Sequence, residues 1–245
     1  MSMDLVQAVK ERVAPRLRNS TYLYREVLEE SVCRTDRWLD LGCGHQLLPA
    51  WMADGECAAA TLAARVRLVV GTDRVLPAIR RHKTILRRVA ADIDNLPFPP
   101  GSFDLVTANM VVEHVRDGSH LLSEIGRVLK SGGRLIVHTP NRLFYQVLAT
   151  LWFPSALRRR AASLLEGRSP DDVFPTHYQL NTGARLRAIG RAQGFEIDRL
   201  LLVNSSLTMA RYPALAIAEL GVVSLLETKP MAWARSNIVA VLRKR

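Results

Sequence analysis

Trp38-Leu39-Asp40-Leu41-Gly42-Cys43-Gly44 decides how the rest of this chain reads. An apolar run meets an acidic residue and then breaks into a glycine turn. That pattern predicts a buried strand entering a loop whose backbone passes close to a ligand. Glycine suits such a loop because it lacks Cβ and tolerates positive φ. A dinucleotide-binding turn needs a third glycine where the following helix packs on the strand. Leu47 stands at that place. No Lys-Ser or Lys-Thr follows at phosphate-loop spacing. The turn therefore suits a ligand with hydroxyls and a positive charge and without phosphates.

Four similar runs follow. Arg67 to Asp73 is apolar and again ends in an acid, placed to bind ribose hydroxyls at the carboxyl end of a second strand. Val89 to Ile93, Phe103 to Asn109 and Arg134 to Thr139 complete the series. Short apolar runs alternating with helical stretches predict a parallel sheet covered on both faces. Phe195 to Val203 reads as a sixth strand, Pro213 to Leu226 as a helix and Ile238 to Leu242 as a last strand. Asp117 is placed as N-cap of a helix from Gly118 to Lys130 that Gly132 ends. Another helix is expected over Gly183 to Gln193.

Taken in order, Asp40-Leu41-Gly42-Cys43-Gly44, Gly71-Thr72-Asp73, Asp92 to Phe98, Ser102 to Val106, Glu113-His114-Val115, Glu124 to Gly133 and Ala192 to Phe195 resemble class I S-adenosylmethionine-dependent methyltransferases. The pieces span residues 36 to 203. The subgroup they resemble contains ubiquinone-type O-methyltransferases and small-molecule and glycan methyltransferases. The resemblance implies an α/β fold: a Rossmann-like seven-stranded sheet, mostly parallel, with the last strand antiparallel and helices on both faces. It implies S-adenosylmethionine as cofactor. Asp40, Gly42 and Gly44 would then line its methionine part. Asp73 would bind the ribose hydroxyls with Arg74 packed beside it. Asp92 would accept from the adenine amino group with Ile93 against the ring. Asn109 and Met110 would face the sulfonium.

At 245 residues the chain is expected to be one domain. A helical cover over 1–35 would precede the cofactor-binding core at 36–140, an acceptor lid at 141–180 and the rest of the sheet at 181–245. In the cover, Leu5, Val9 and Val13 would share one face, and Tyr22, Tyr24 and Val27 would cover the cofactor side. The alanine-rich stretch Gly55 to Ala64 looks like an insertion before the second strand. No apolar run is long enough to span a bilayer, and no signal peptide opens the chain. Cys33, Cys43 and Cys57 have neither paired nor metal-ligand spacing, so a reducing cytoplasm is the expected location.

Methyl transfer to oxygen or nitrogen asks for a proton acceptor near the methyl group, and histidine suits that task. His114, just past the fourth strand, and His177, at the end of the lid, are the candidates. Glu113 would orient His114 or the acceptor. Related small-RNA and quinone enzymes bind a divalent metal through Glu-x-x-Glu-His plus a later histidine. Met110 stands in place of the first glutamate, so no catalytic metal is expected; Glu113, His114 and His177 could form at most a weak site.

The 34 basic against 23 acidic side chains give a charge of +11. Nucleic acid is a conceivable partner at that charge. The basic residues are spread out, however, and Asn109-Met110-Val111-Val112 replaces the Asn/Asp-Pro-Pro-Tyr/Phe of amino-group methylating enzymes. The expected acceptor is an oxygen of a small molecule, glycan or lipid-linked intermediate. The alternatives are an RNA methyltransferase and a non-catalytic S-adenosylmethionine-binding partner protein. Aromatic residues from Phe144 to Phe153 ahead of Arg158-Arg159-Arg160 also suit weak association with an anionic membrane surface.

Overall fold

The computed structural model describes residues 3–15, 17–152, 175–205 and 207–245. Seven strands form one sheet: β1 Arg37–Leu41, β2 Leu68–Asp73, β3 Arg87–Ala90, β4 Phe103–Asn109, β5 Leu129–Pro140, β6 Phe195–Val203 and β7 Asn237–Lys244. Their spatial order is β3-β2-β1-β4-β5-β7-β6. β1 to β5 run parallel, and β7 lies antiparallel between β5 and β6. The order reverses at β1, so the switch point where such sheets bind ligands lies between β1 and β4.

Strand side chains alternate between two buried layers, as period-two geometry requires. Leu39, Leu41, Val106 and Val137 face α5 (Gly118–Val128) and α7 (Gly183–Ala192), where Leu121, Ile125 and Leu186 meet them. Trp38, Leu105, Ile136 and Val239 face α2 (Ser20–Ser31) and α3 (Gly55–Arg65), against Tyr24, Leu28, Ala59 and Leu62. Each such fully buried side chain contributes about 1.5–3 kcal/mol relative to exposure. Ala58, Ala59 and Leu62 of α3 are buried in this layer. Gly55 to Ala64 is therefore the crossover helix from β1 to β2, not an insertion.

Asp117 caps α5 by accepting from the Ser119 and His120 amides at 2.9 and 3.0 Å. The helix ends at Val128, not Lys130. Residues 130–133 form an irregularity in β5, and Gly132 takes φ 75° within it. β2 leads through α4 (Leu76–Arg80) to the third strand, which starts two residues before the expected run and leaves Asp92 in the loop beyond it.

A third layer lies at the carboxyl end of the sheet. α1 (Met3–Val13), α6 (Tyr145–Trp152) and α8 (Pro213–Glu227) belong to it, with a 3₁₀ turn Lys229–Ala234. Neighbouring antiparallel strands could be joined by a hairpin, yet β6 and β7 are joined by residues 204–236. β6 runs parallel to β5, so this connection leaves and re-enters at the end where β1 and β4 finish. Val6, Ala14 and Leu17 pack on Ala216, Leu220 and Val223. The buried face of α1 therefore carries Val6 and Val9, while Leu5 and Val13 are exposed. Glu219, buried in α8, binds the layer together. It accepts from Tyr145 Oη (3.2 Å), Gln146 Nε2 (3.0 Å) and the amides of Thr208 and Met209 (3.0 and 2.8 Å). Residues 153–174 of the expected lid, including Phe153 and Arg158-Arg159-Arg160, lie outside the described residues. No described helix is long and apolar enough to cross a membrane.

Candidate functional site

The glycine turn after β1 takes the shape its residues suggest. Gly42 and Gly44 have φ 61° and 55°. A Cβ on Gly42 would stand 2.5 Å from Val111 Cγ2, so the turn lies directly against the segment that follows β4. A Cβ on Gly44 would meet nothing within 4 Å. That open space beside bare backbone is a cradle of the kind a close-lying ligand needs. The Gly44 amide donates to Asp73 Oδ2 at 3.0 Å, and Asp73 Oδ1 accepts from the Val75 amide at 2.8 Å. Asp73 thus joins the loops after β1 and β2 into one wall.

Asp40 is buried on the α2 side of β1. Its Oδ1 accepts from Thr107 Oγ1 at 2.5 Å, and Thr107 in turn accepts from Trp38 Nε1 at 2.7 Å. Burial pushes the Asp40 pKa up to about 7; the Thr107 hydrogen bond opposes this and the Asp73 charge adds to it. A carboxyl poised in this way would ionise beside a cationic ligand, releasing its proton to solvent. The donor set therefore fits an uncharged sugar with a cationic tail: acceptor oxygens on Asp73, a titrating acid at Asp40 and exposed backbone at Gly44.

The remaining cofactor candidates lie on neighbouring loops. The Ala91 amide donates to the Asp73 carbonyl at 3.1 Å, placing Asp92 and Ile93 just beyond the end of β2. Asp92 is exposed, and its Oδ1 caps the Asp94 amide at 3.1 Å; Ile93 is half-buried against the core. Arg74 is exposed next to Asp73 and lies close enough to Asp94 to act on its charge. Asn109 ends β4, and its Oδ1 pairs with His138 Nδ1 at 2.8 Å, so that oxygen is already engaged. Met110 has φ 55° and is 39% exposed.

Glu113, His114 and His177 come together. Glu113 and His114 lie in a 3₁₀ turn, Val112–His114. The Glu113 carbonyl accepts from the amides of His177 (2.7 Å) and Tyr178 (3.1 Å), so the returning end of the 141–180 segment is fixed on this turn. The buried Glu113 carboxylate accepts from Thr139 Oγ1 at 2.9 Å, and Asn181 donates to that same oxygen at 2.6 Å. His114 Nδ1 pairs with the Pro175 carbonyl at 2.9 Å. Among the described residues, Met110 and Tyr178 (φ 51°) are the non-glycine residues with positive φ, and both border this cluster. Such strain collects at functional sites.

Sequence reasoning missed a buried polar chain behind these residues. His138 Nε2 pairs with Ser20 Oγ at 2.9 Å, and Tyr24 stacks on the imidazole with ring centroids 5.4 Å apart. Burial holds the His138 pKa down at about 4, so the ring is neutral. The Asn109 oxygen can only accept, so His138 Nδ1 carries the proton and Nε2 accepts from Ser20. Tyr24 and Val27 pack in the buried layer behind Asp40, and Tyr22 packs edge-on against Trp51 at 5.9 Å. A histidine and threonines at the ends of otherwise apolar strands were the available signal. A separate open groove of about 660 Å³ lies at the amino ends of β2 and β3, lined by Ala60, Ala63, Leu68 and Leu86; it contains none of these residues.

The Methyltransferase domain family matches residues 6–200. An uncharacterized methyltransferase of Mycobacterium tuberculosis is 35% identical over 174 residues, 66% of this chain and 81% of the relative. A probable S-adenosylmethionine-dependent methyltransferase of Mycolicibacterium smegmatis is 32% identical over 143 residues, 55% of this chain and 52% of the relative. The crystal structure of an S-adenosylmethionine-dependent methyltransferase from Mesorhizobium loti superposes with TM-score 0.57 at 18% identity, covering 89% of this chain and 96% of that one.

Proposed function

We propose, for a chain that belongs to the class I S-adenosylmethionine-dependent methyltransferases, methyl transfer to an oxygen of a small molecule, a glycan or a lipid-linked intermediate. The contact between His114 and Pro175 carries the reading. A carbonyl oxygen only accepts, so Nδ1 of His114 holds the proton and Nε2 keeps the lone pair. Glu113 Oε1 stands 4.0 Å from Nε2, close enough to orient the ring so that this lone pair meets an acceptor's proton. An acceptor hydroxyl has such a proton to lose.

Bound S-adenosylmethionine supplies a methyl group already activated on a cationic sulfur. The chain's residues do the rest. Asp40, Gly42 and Gly44 hold the methionine part, Asp73 the ribose hydroxyls with Arg74 alongside, and Asp92 and Ile93 the adenine. Asn109 and Met110 border the reacting end. His114 takes the acceptor's proton, Glu113 orients the ring or the acceptor, and His177 closes the same side. Because Met110 replaces the first glutamate of the metal-binding pattern, the step is assigned no metal. Positioning supplies much of the remaining rate.

Transfer of labelled methyl to phenols, glycans, quinone precursors, lipids and RNA identifies the acceptor. On that acceptor His114→Ala lowers turnover by about 10²–10⁴-fold while S-adenosylmethionine affinity holds. His177→Ala loses less. Full activity in His114→Ala, or stoichiometric methylation of RNA, overturns the reading.

A further inference from the structure

We propose that the outer face of α8 docks on an anionic lipid bilayer, which puts the layer at the carboxyl end of the sheet beside a membrane surface. This goes beyond the choice of acceptor atom. It begins with an anomaly of composition. A helix on a protein surface ordinarily turns charged side chains outward. The 15-residue sequence of α8, Pro-Ala-Leu-Ala-Ile-Ala-Glu-Leu-Gly-Val-Val-Ser-Leu-Leu-Glu, has two charged residues. One is Glu219, which points inward to Tyr145 and Gln146; the other, Glu227, ends the helix. The outward stripe is Leu215, Ala218, Val222 and Leu225, spaced by three and four residues as one helical face requires. Leu215 is 48%, Val222 40% and Leu225 55% exposed.

The ends of the stripe identify its partner. Tyr212 precedes α8 and Trp233 follows it, 42% and 53% exposed. Arg211 and Lys229 are exposed beyond the two ends of the helix. Exposed aromatic side chains and cations at both ends of an apolar stripe suit a helix lying in the plane of a bilayer interface, its stripe toward the acyl boundary and its cations near lipid phosphate. The chain's charge of +11 favours an anionic surface. A second copy fits less well. A helix of this length offers a strip about 22 Å by 10 Å in projection. A stable protein–protein interface needs about 800 Å² per partner.

The topology gives the docking a purpose. α8 belongs to the connection between β6 and β7 at the carboxyl end of the sheet, the end that bears Asp40, Asp73 and His114. Glu219 fixes it to α6, the helix that follows β5. A bilayer against α8 therefore lies beside the layer at the carboxyl end of the sheet.

The test is co-sedimentation of the full chain with sucrose-loaded vesicles, either phosphatidylcholine alone or an equal mixture with phosphatidylglycerol. The protein partitions onto the mixed vesicles and much less onto phosphatidylcholine, and added salt releases it. The triple variant Leu215→Ser, Val222→Ser, Leu225→Ser partitions at least tenfold less, with unchanged melting temperature and unchanged S-adenosylhomocysteine affinity. Arg211→Glu with Lys229→Glu loses the preference for the anionic mixture. Failure of the unmodified protein to bind mixed vesicles overturns the proposal, as does equal binding by the triple variant. A dimer in sedimentation velocity that the triple variant abolishes assigns the face to a second copy instead. Vesicle binding needs no turnover, so a wrong acceptor assignment leaves this result standing.

Discussion

Alanine substitutions at Gly42 and Gly44 separate what the fold requires from what the ligand requires. Both glycines have positive φ, so each substitution carries the left-handed penalty of about 1–2 kcal/mol. At Gly42 the new methyl also meets Val111 Cγ2 at 2.5 Å, and overpacking of that kind adds about 1–3 kcal/mol. Gly42→Ala should therefore cost about 2–5 kcal/mol of stability, read as a fall of roughly 4–20 °C in melting temperature for a domain of this size. Gly44→Ala meets no neighbour within 4 Å and should cost the first amount alone. The space its methyl enters is the proposed cofactor cradle, so its S-adenosylmethionine affinity should drop tenfold or more. Gly132→Ala is the control, with φ 75° and open surroundings remote from the site. Thermal melts and calorimetric titrations of the three variants suffice. The reasoning is refuted if Gly42→Ala melts no lower than Gly132→Ala, or if Gly44→Ala binds the cofactor like the unmodified protein. Adding Val111→Ala to Gly42→Ala should recover part of the loss, because it removes the atom that clashes.

Asp40 should make cofactor affinity depend on pH. Its carboxyl is protonated below about 7 and a cationic ligand favours the ionised form, so affinity should weaken by up to about tenfold per pH unit below 7. Titrations in buffers of different ionisation enthalpy should show proton release near neutrality, and Asp40→Asn should abolish it. The raised pKa also means that the cofactor-free fold loses stability as pH climbs from about 4, the unfolded value, through 7. Melting temperature measured across that range, with and without cofactor, checks the sign. Glu219→Ala strands four donors and should loosen α8 from α6. Proteolysis at the ends of these helices should accelerate while binding of S-adenosylhomocysteine stays near normal.

The strongly periodic parts of the fold were legible in the sequence. Phe195–Val203 and the helix from Pro213 coincide with the expected elements because nothing competes with their patterns. The alanine helix Gly55–Arg65 was not, since alanine is apolar without marking a face, and Ala58, Ala59 and Leu62 alone are weak signals of burial. The start of β3 hid behind Arg87 and Arg88, which an edge strand tolerates because one flank meets solvent. Gly132 resembled a helix stop because a glycine that relieves a sheet irregularity has the same positive φ as one that ends a helix.

For the site, Asp40, Asp73 and the two glycines were legible because the turn chemistry is local. Ser20, Thr107 and His138 were not: their partners lie as far as 118 residues away in the chain, and a polar residue late in an apolar strand is a weak local mark that names no partner. The carboxyl-end position of α8 was also hidden. It depends on which way β6 runs and on β7 lying between β5 and β6, neither of which residue periodicity encodes.

Calorimetric titration of the full chain with S-adenosylmethionine, alongside Asp73→Ala, tests the central claim most directly. Asp73 accepts from the Gly44 and Val75 amides and joins the loops after β1 and β2. The account predicts one cofactor per chain, no heat from NAD, and a loss in Asp73→Ala of about 1–3 kcal/mol, the cost of leaving buried polar groups unpaired. No binding by the unmodified chain, or equal affinity in Asp73→Ala, would contradict it.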